Sequence, residues 1–238
     1  MNNTEYQDST GVLSNSFVAN VFMWMFAALG LTALTAYLFG TNASLFLSMF
    51  TVQADGSMSM NILGWIVMLA PLIIVFAMSF GIEKMKASTM VTLYIVYSIL
   101  MGMSLSFIFL AYTDASIAKT FVVTAGMFGL MAFLGYTTKT DLTKFGSFLL
   151  MGLFGIILAS LVNMFMHSER IDYIISIIGV LIFTGLTAYD VQKIKEIGQM
   201  GMDNNETMTK ISISAALSLY LDFVNLFLYL LKFLGKRK

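Results

Sequence analysis

Two aspartates stand where an apolar chain holds charge least easily. Asp190 closes GLTAYD (185–190), after a run (174–184) in which only Ser176 and Thr184 are appreciably polar. Asp222 lies in ALSLYLDFVNLFLYLL (216–231), with no Lys or Arg within a turn. A charge at membrane depth is costly, so such residues mark either function or a satisfied partner. On a helix, Ser218, Asp222, Asn225 and Tyr229 fall at i−4, i, i+3 and i+7, a polar stripe that must face protein or water. Plainer readings stand beside this one. Asp190 can be a helix-end residue in water paired with Lys193, and Asp222 a protonated or otherwise satisfied interhelical hydrogen bond.

If the two aspartates meet, they cannot both ionise cheaply in a low dielectric, so they share a proton. Protonated, the pair ties one helix to the next. Deprotonated, the anions repel, and the gap admits water or a cation. Ca²⁺ suits the ionised state because it takes oxygen ligands, and Asn225 or backbone carbonyls can add to Asp190 and Asp222, although the ion wants about six to eight in all. No EF-hand loop is present, so the expectation is a transient, permeant calcium ion and no tightly bound cofactor.

The elements that must position these groups follow from composition. The chain has 238 residues, 58% hydrophobic and only 11% charged, with a mean hydropathy of +0.85. A water-soluble domain is about a quarter charged. An all-α integral membrane protein fits instead, built from runs of about twenty apolar residues that each cross roughly 30 Å of hydrocarbon. The formal net charge of zero and the lack of a long basic stretch argue against a nucleic-acid partner. With no cysteine, disulfides, thiolate metal sites and a cysteine nucleophile are excluded. The polar N-terminal segment (1–16) carries Glu5 and Asp8 but no Lys or Arg, so it lacks the basic flank of a cleavable signal peptide, and the first span is expected to stay in the mature protein.

Seven transmembrane segments can be drawn, at about 17–39, 62–82, 88–111, 119–136, 147–166, 172–191 and 211–234, followed by a basic tail (235–238). With the N-terminus in the cytoplasm, the inner loops hold Lys84, Lys86, Lys139, Lys144, Lys193, Lys195 and Lys210, and the outer loops hold Lys119 and Arg170. The tail opposes that bias: seven full crossings put Lys232, Lys236, Arg237 and Lys238 outside. Either the last segment crosses against its flanking charge, the reading preferred on its length, or it is re-entrant. A mismatch in depth also appears. Asp222 is about eleven residues, roughly 16 Å, from the inner end of its segment, whereas Asp190 is within a turn of its own. The two meet only if the sixth helix continues past Lys195, the seventh begins later than drawn, or a water cavity reaches inward.

Three stretches, FGLMAFLGYTTKTDLTKFGSFL (128–149), IGVLIFTGLTAYDVQKIK (178–195) and LSLYLDFVNLFLYLL (217–231), together resemble the transmembrane Bax inhibitor motif family, specifically its bacterial inner-membrane members. The resemblance covers nearly the whole chain. It implies seven transmembrane helices with the C-terminal helix central, and a pH-sensitive calcium leak controlled by aspartates on the last two helices, here Asp190 in TAYD and Asp222 in LYLD. Bacterial relatives are also associated with modulating a membrane-anchored quality-control protease, and eukaryotic ones with suppressing cell death. One feature departs from the family pattern. Some members carry an arginine in the second span that reaches the aspartates, whereas residues 60–81 here contain no basic residue, leaving Lys84 and Lys86 just beyond as a basic latch that snorkels towards Asp190.

Other features have blander readings. The twenty methionines form no sustained ladder and read as packing. His167 lies in an outer turn as a solvated residue. Gly155 and Ala159, and Gly126, Gly129 and Gly135, have spacings that permit close helix approach. Pro71 kinks the second span, and Asp141 caps the fifth helix. The leading functional expectation is a pH-gated cation leak. A non-conducting regulator of a membrane protease is the alternative. An aspartate-dyad hydrolase lacks a GxGD context, and the chain is not expected to be an enzyme.

Overall fold

In a bilayer the backbone must satisfy its own hydrogen bonds, and helices of twenty or more residues do so without help. The computed structural model describes residues 3–53, 57–200 and 204–238. In chain order the elements are α1 (Asn3–Thr41), α2 (Ala43–Leu47), β1 (Phe50–Val52), β2 (Met58–Met60), α3 (Ile62–Gly81), α4 (Ala87–Leu105), α5 (Ile108–Ala111), α6 (Asp114–Thr137), α7 (Thr143–Met166), α8 (Glu169–Gln199) and α9 (Asn205–Leu234). Among the described residues, seven helical stretches are long and apolar enough to cross a membrane, with α4 and α5 supplying one between them. The protein is an all-α membrane protein. Its one departure among the described residues is a short antiparallel ribbon, Phe50 opposite Met60, in what the sequence reads as a polar loop.

The helices pack as two units, one comprising Met1–Ala19, Asp114–Gly201 and Ser218–Arg237, the other Asn20–Thr113, Met202–Leu217 and Lys238. Both α1 and α9 contribute to each.

In the first unit, α8 approaches α6 closely because Gly135 has no side chain: a methyl there would collide with the carbonyl of Ala188. On α9, Phe223 packs edge-on against Phe121 and Phe128 of α6. Near its end Lys232 pairs with Asp172 at the start of α8, at 2.8 Å, and the Lys236 amide donates to the Ser116 hydroxyl in the first turn of α6. Thus α9 runs antiparallel to α8 and finishes beside α8's first turn. A continuous helix of thirty residues fits the full crossing preferred on length. The most apolar window of α9 is 61% buried, more than that of any other span, whereas α7 is 17% buried and turns Phe148, Met151, Phe154 and Leu158 outward. A lipid-facing helix carries its apolar residues on the outside, and α7 does so.

In the second unit, Thr32 of α1 donates to the Ser98 carbonyl of α4 at 2.8 Å. Gly102 of α4 lies directly under the Thr32 carbonyl. Asn61 caps α3 by accepting the Gly64 amide and ties that cap back to the Ser48 carbonyl. Lys86 at the start of α4 makes no side-chain cap, and the Glu206 carboxylate from the first turn of α9 accepts the Ala87 amide instead.

Several glycine expectations change. Gly126, Gly129 and Gly155 face open space and bring no helix close, while Gly135 does. The residues of α3 continue as a helix through the buried Pro71. Asp141 does cap α7, but from one residue before the N-cap position, where its carboxylate accepts the Thr143 amide at 2.8 Å. His167 is exposed in a short turn and holds a left-handed conformation, φ 51°.

Candidate functional site

The sixth span does not end at 191. It runs on to Gln199, so Asp190 lies nine residues inside α8, roughly 13 Å from its end. The extension alone does not remove the depth mismatch, because α9 begins at Asn205, earlier than drawn rather than later, and Asp222 then stands seventeen residues, roughly 25 Å, inside its own helix. The extension holds because its polar residues have partners. Gln192 is only 8% exposed, donates to the Thr140 carbonyl and accepts the Leu142 amide, each at 2.8 Å. Lys195 donates to the Tyr136 carbonyl and lies over the Tyr136 ring, 5.0 Å from its centroid. Together they clamp the α6–α7 turn onto α8.

Asp190 and Asp222 meet. Their side chains lie near each other between α8 and α9 and line the same cavity. Two carboxyls that close hydrogen-bond to each other only if one of them carries a proton. Asp222 is 5% exposed, and its Oδ2 has no hydrogen-bond partner among the described residues. Asp190 is half-buried, and the cation whose charge reaches it is Lys193, three residues on along the same helix. The plain reading of Asp190 as a helix-end residue in water therefore fails on position, while its pairing with Lys193 survives as a through-space influence. Lys84 and Lys86 are exposed in the turn between α3 and α4, in the second unit.

The polar stripe lines a cavity of about 300 Å³ in the first unit: Ser218, Asp222, Asn225 and Tyr229 come from α9 and Asp190 from α8. Its other walls are apolar, with Leu150, Leu153 and Ile157 on α7, Phe183 and Leu186 on α8, and Leu221 on α9. Asn225 uses its amide nitrogen on the Leu221 carbonyl one turn back, at 2.8 Å. Tyr229 stacks on Phe183 (centroids 5.8 Å apart), and its hydroxyl lies near Ser160 of α7. The ring also lies against the backbone of Gly179, where a methyl would sit 2.7 Å from it. Glycine at 179 thus sets the position of Tyr229. Among the described residues no three His, Asp or Glu converge as metal ligands.

Sequence reasoning missed Gln192, Lys195, Ser160 and Gly179. Gln192 carried a usable signal, a polar residue two places beyond Asp190 that a longer helix would keep out of water. The close approach at Gly179 depends on helix rotation and left no mark in the sequence.

The pair and its cavity sit on the stretches that also carry the resemblance to known proteins. Residues 14–238 match the family described as inhibitor of apoptosis-promoting Bax1. A Borreliella burgdorferi protein is 47% identical over 227 residues, 95% of this chain and 94% of its own. Inner membrane protein YbhL of Escherichia coli K12 is 46% identical over 225 residues, 94% and 92% of the two chains, and a Deinococcus radiodurans protein is 38% identical over 216 residues, 91% and 88%. A family match over this length, with relatives so similar end to end, means that the chain belongs to the Bax inhibitor-1 family.

Proposed function

We propose that the protein is a pH-sensitive leak path for calcium, or for cations generally, in the bacterial inner membrane, with its N-terminus in the cytoplasm. The observation that carries this reading is the nearness of Asp190 and Asp222 on two neighbouring helices in the lining of one cavity. While the two share a proton, α8 and α9 are tied. Loss of the proton leaves two neighbouring anions, which repel each other and attract a cation and water into the gap. The clamp by Gln192 and Lys195 holds the α8 end to α6 and α7, so repulsion moves α8 and α9 apart rather than unwinding α8. Two carboxylates, Ser218 and Asn225 hold at most six oxygens, the lower limit for a resident calcium ion, and water completes the shell of a passing one. The role is conduction and not catalysis, and no tightly bound cofactor belongs to it. The inner-membrane assignment is supported by the name of the Escherichia coli relative.

The test is a proteoliposome with a trapped calcium dye and a pH step. Flux is expected to rise on the alkaline step in wild type and to lose that dependence in Asp190→Asn and Asp222→Asn. Flux that both substitutions leave unchanged ends the proposal. The reading then left is a non-conducting regulator of a membrane-anchored protease, for which deletion of residues 1–16 abolishes the phenotype and the carboxylate substitutions spare it.

A further inference from the structure

We infer that the cavity between α7, α8 and α9 is a binding site for a primary alkylammonium amphiphile, which enters sideways from the bilayer and sets its ammonium on Asp222 and its chain among the leucines.

The first support is the position of the opening. Leu150 and Ile157 line the cavity yet are 41% and 46% exposed, and Ser218 beside them is exposed as well. Leu150 and Ile157 stand seven residues apart, about 10 and 21 Å from the start of α7 at helical rise. The mouth is therefore on the flank of a membrane-crossing helix and faces acyl chains, so a guest dissolved in the bilayer reaches it without passing through water.

The second is the unmet acceptor. Asp222 Oδ2 is buried and has no hydrogen-bond partner among the described residues. A neutral alcohol brings a donor but no charge, a quaternary ammonium brings charge but no N–H, and an anionic amphiphile is repelled. A primary ammonium brings charge and three donors, and the Ser218 hydroxyl and Asn225 amide oxygen belong to the same lining. The volume, about 300 Å³, is roughly ten water volumes at about 30 Å³ each. That accommodates a head and a chain of roughly eight to ten carbons, at the lower end of small-molecule sites. Binding of this kind requires no conduction, although a guest so placed would plug a cation path.

The experiment is saturation binding of tritiated n-decylamine to the full-length protein in lipid nanodiscs, with protein-free nanodiscs subtracted for partition into lipid. One saturable site per chain is expected, with n-decanol and decyltrimethylammonium competing at least tenfold less well, because each lacks part of a charged hydrogen bond. Asp222→Asn is expected to weaken binding about tenfold or more. Ile157→Trp, which fills the mouth from an exposed flank and leaves both carboxylates in place, is expected to abolish it, and it decides the matter should Asp222→Asn fail to fold. Non-saturable binding, equal competition by decanol (an apolar slot only) or by the quaternary amine (charge only), or binding unaffected by Ile157→Trp overturns the inference. Nanodiscs report no flux, so saturable binding without a leak ends only the leak, and a leak without saturable binding ends only this site.

Discussion

At Asp222 an asparagine can donate an amide hydrogen bond to the nearby Asp190 carboxylate, but it cannot exchange a proton. Asp222→Asn should therefore change thermal stability in detergent by less than about 1 kcal/mol. Asp222→Leu removes the partner of Asp190 and should cost about 1–3 kcal/mol. Equal losses for the two would mean that the hydrogen bond contributes nothing. Asp141, outside the membrane, offers a cleaner titration. Hydrogen bonds from the Thr143 side chain and amide, helped by the charge of Lys144, hold its carboxyl below the usual aspartate range. A group depressed in the folded state contributes stability above its unfolded pKa, and that contribution is lost as pH falls through the folded value. A carboxyl-carbon NMR titration should accordingly find Asp141 more acidic than a free aspartate, and Thr143→Val should bring it back part of the way. The two aspartates of the site were legible in the sequence because in an apolar chain a charge is the anomaly. Tyr229 and Asn225 were legible through helical spacing. Ser160 was not, because a hydroxyl on a lipid-facing helix has no distinguishing context until a partner appears.

Helix against helix, the deciding quantity is how near two backbones come. At Gly135 the obstacle is the Ala188 carbonyl, which belongs to a packed helix and cannot swing away, whereas Gly155 faces open space. Gly135→Leu should destabilise by about 1–3 kcal/mol or block assembly of α6 on α8. Gly155→Leu should be neutral or stabilise slightly, by up to about 1 kcal/mol of helix propensity. Thermal unfolding of the two variants side by side checks this, and a reversed order would refute the close approach. The sequence offers both glycines equally, since composition does not say which way a helix is turned. Likewise the span of α8 was drawn to end at 191 because hydrophobicity falls there. The helix persists because Gln192 and Lys195 find backbone carbonyls on the neighbouring turn, and such tertiary partners are invisible to a window of hydropathy.

For the molecule as a whole, the proposed topology of seven crossings from a cytoplasmic N-terminus puts the two termini on opposite sides of the bilayer, against the pull of four basic residues near the tail. The pairing of Lys232 with Asp172 neutralises one of them locally. Cysteines introduced singly into this cysteine-free chain give the check. Lys236→Cys should react with an impermeant maleimide from the same face as His167→Cys and from the opposite face to Lys139→Cys. Labelling of Lys236→Cys together with Lys139→Cys would restore the re-entrant tail. The number of candidate spans was legible from length and hydropathy alone, while the pairing of the far end of α9 with the start of α8 needed the tertiary contacts.

The helix with the most deeply covered apolar window follows the other six candidate spans in chain order. During biogenesis, therefore, a nascent chain inserts its earlier helices before Asp222 exists, and Asp190 meets lipid or lipid-borne water by itself until α9 is made. A ribosome stalled upstream of α9 leaves an acid without its mate and a seam without its filling, a chemical mark by which an unfinished copy differs from a finished one.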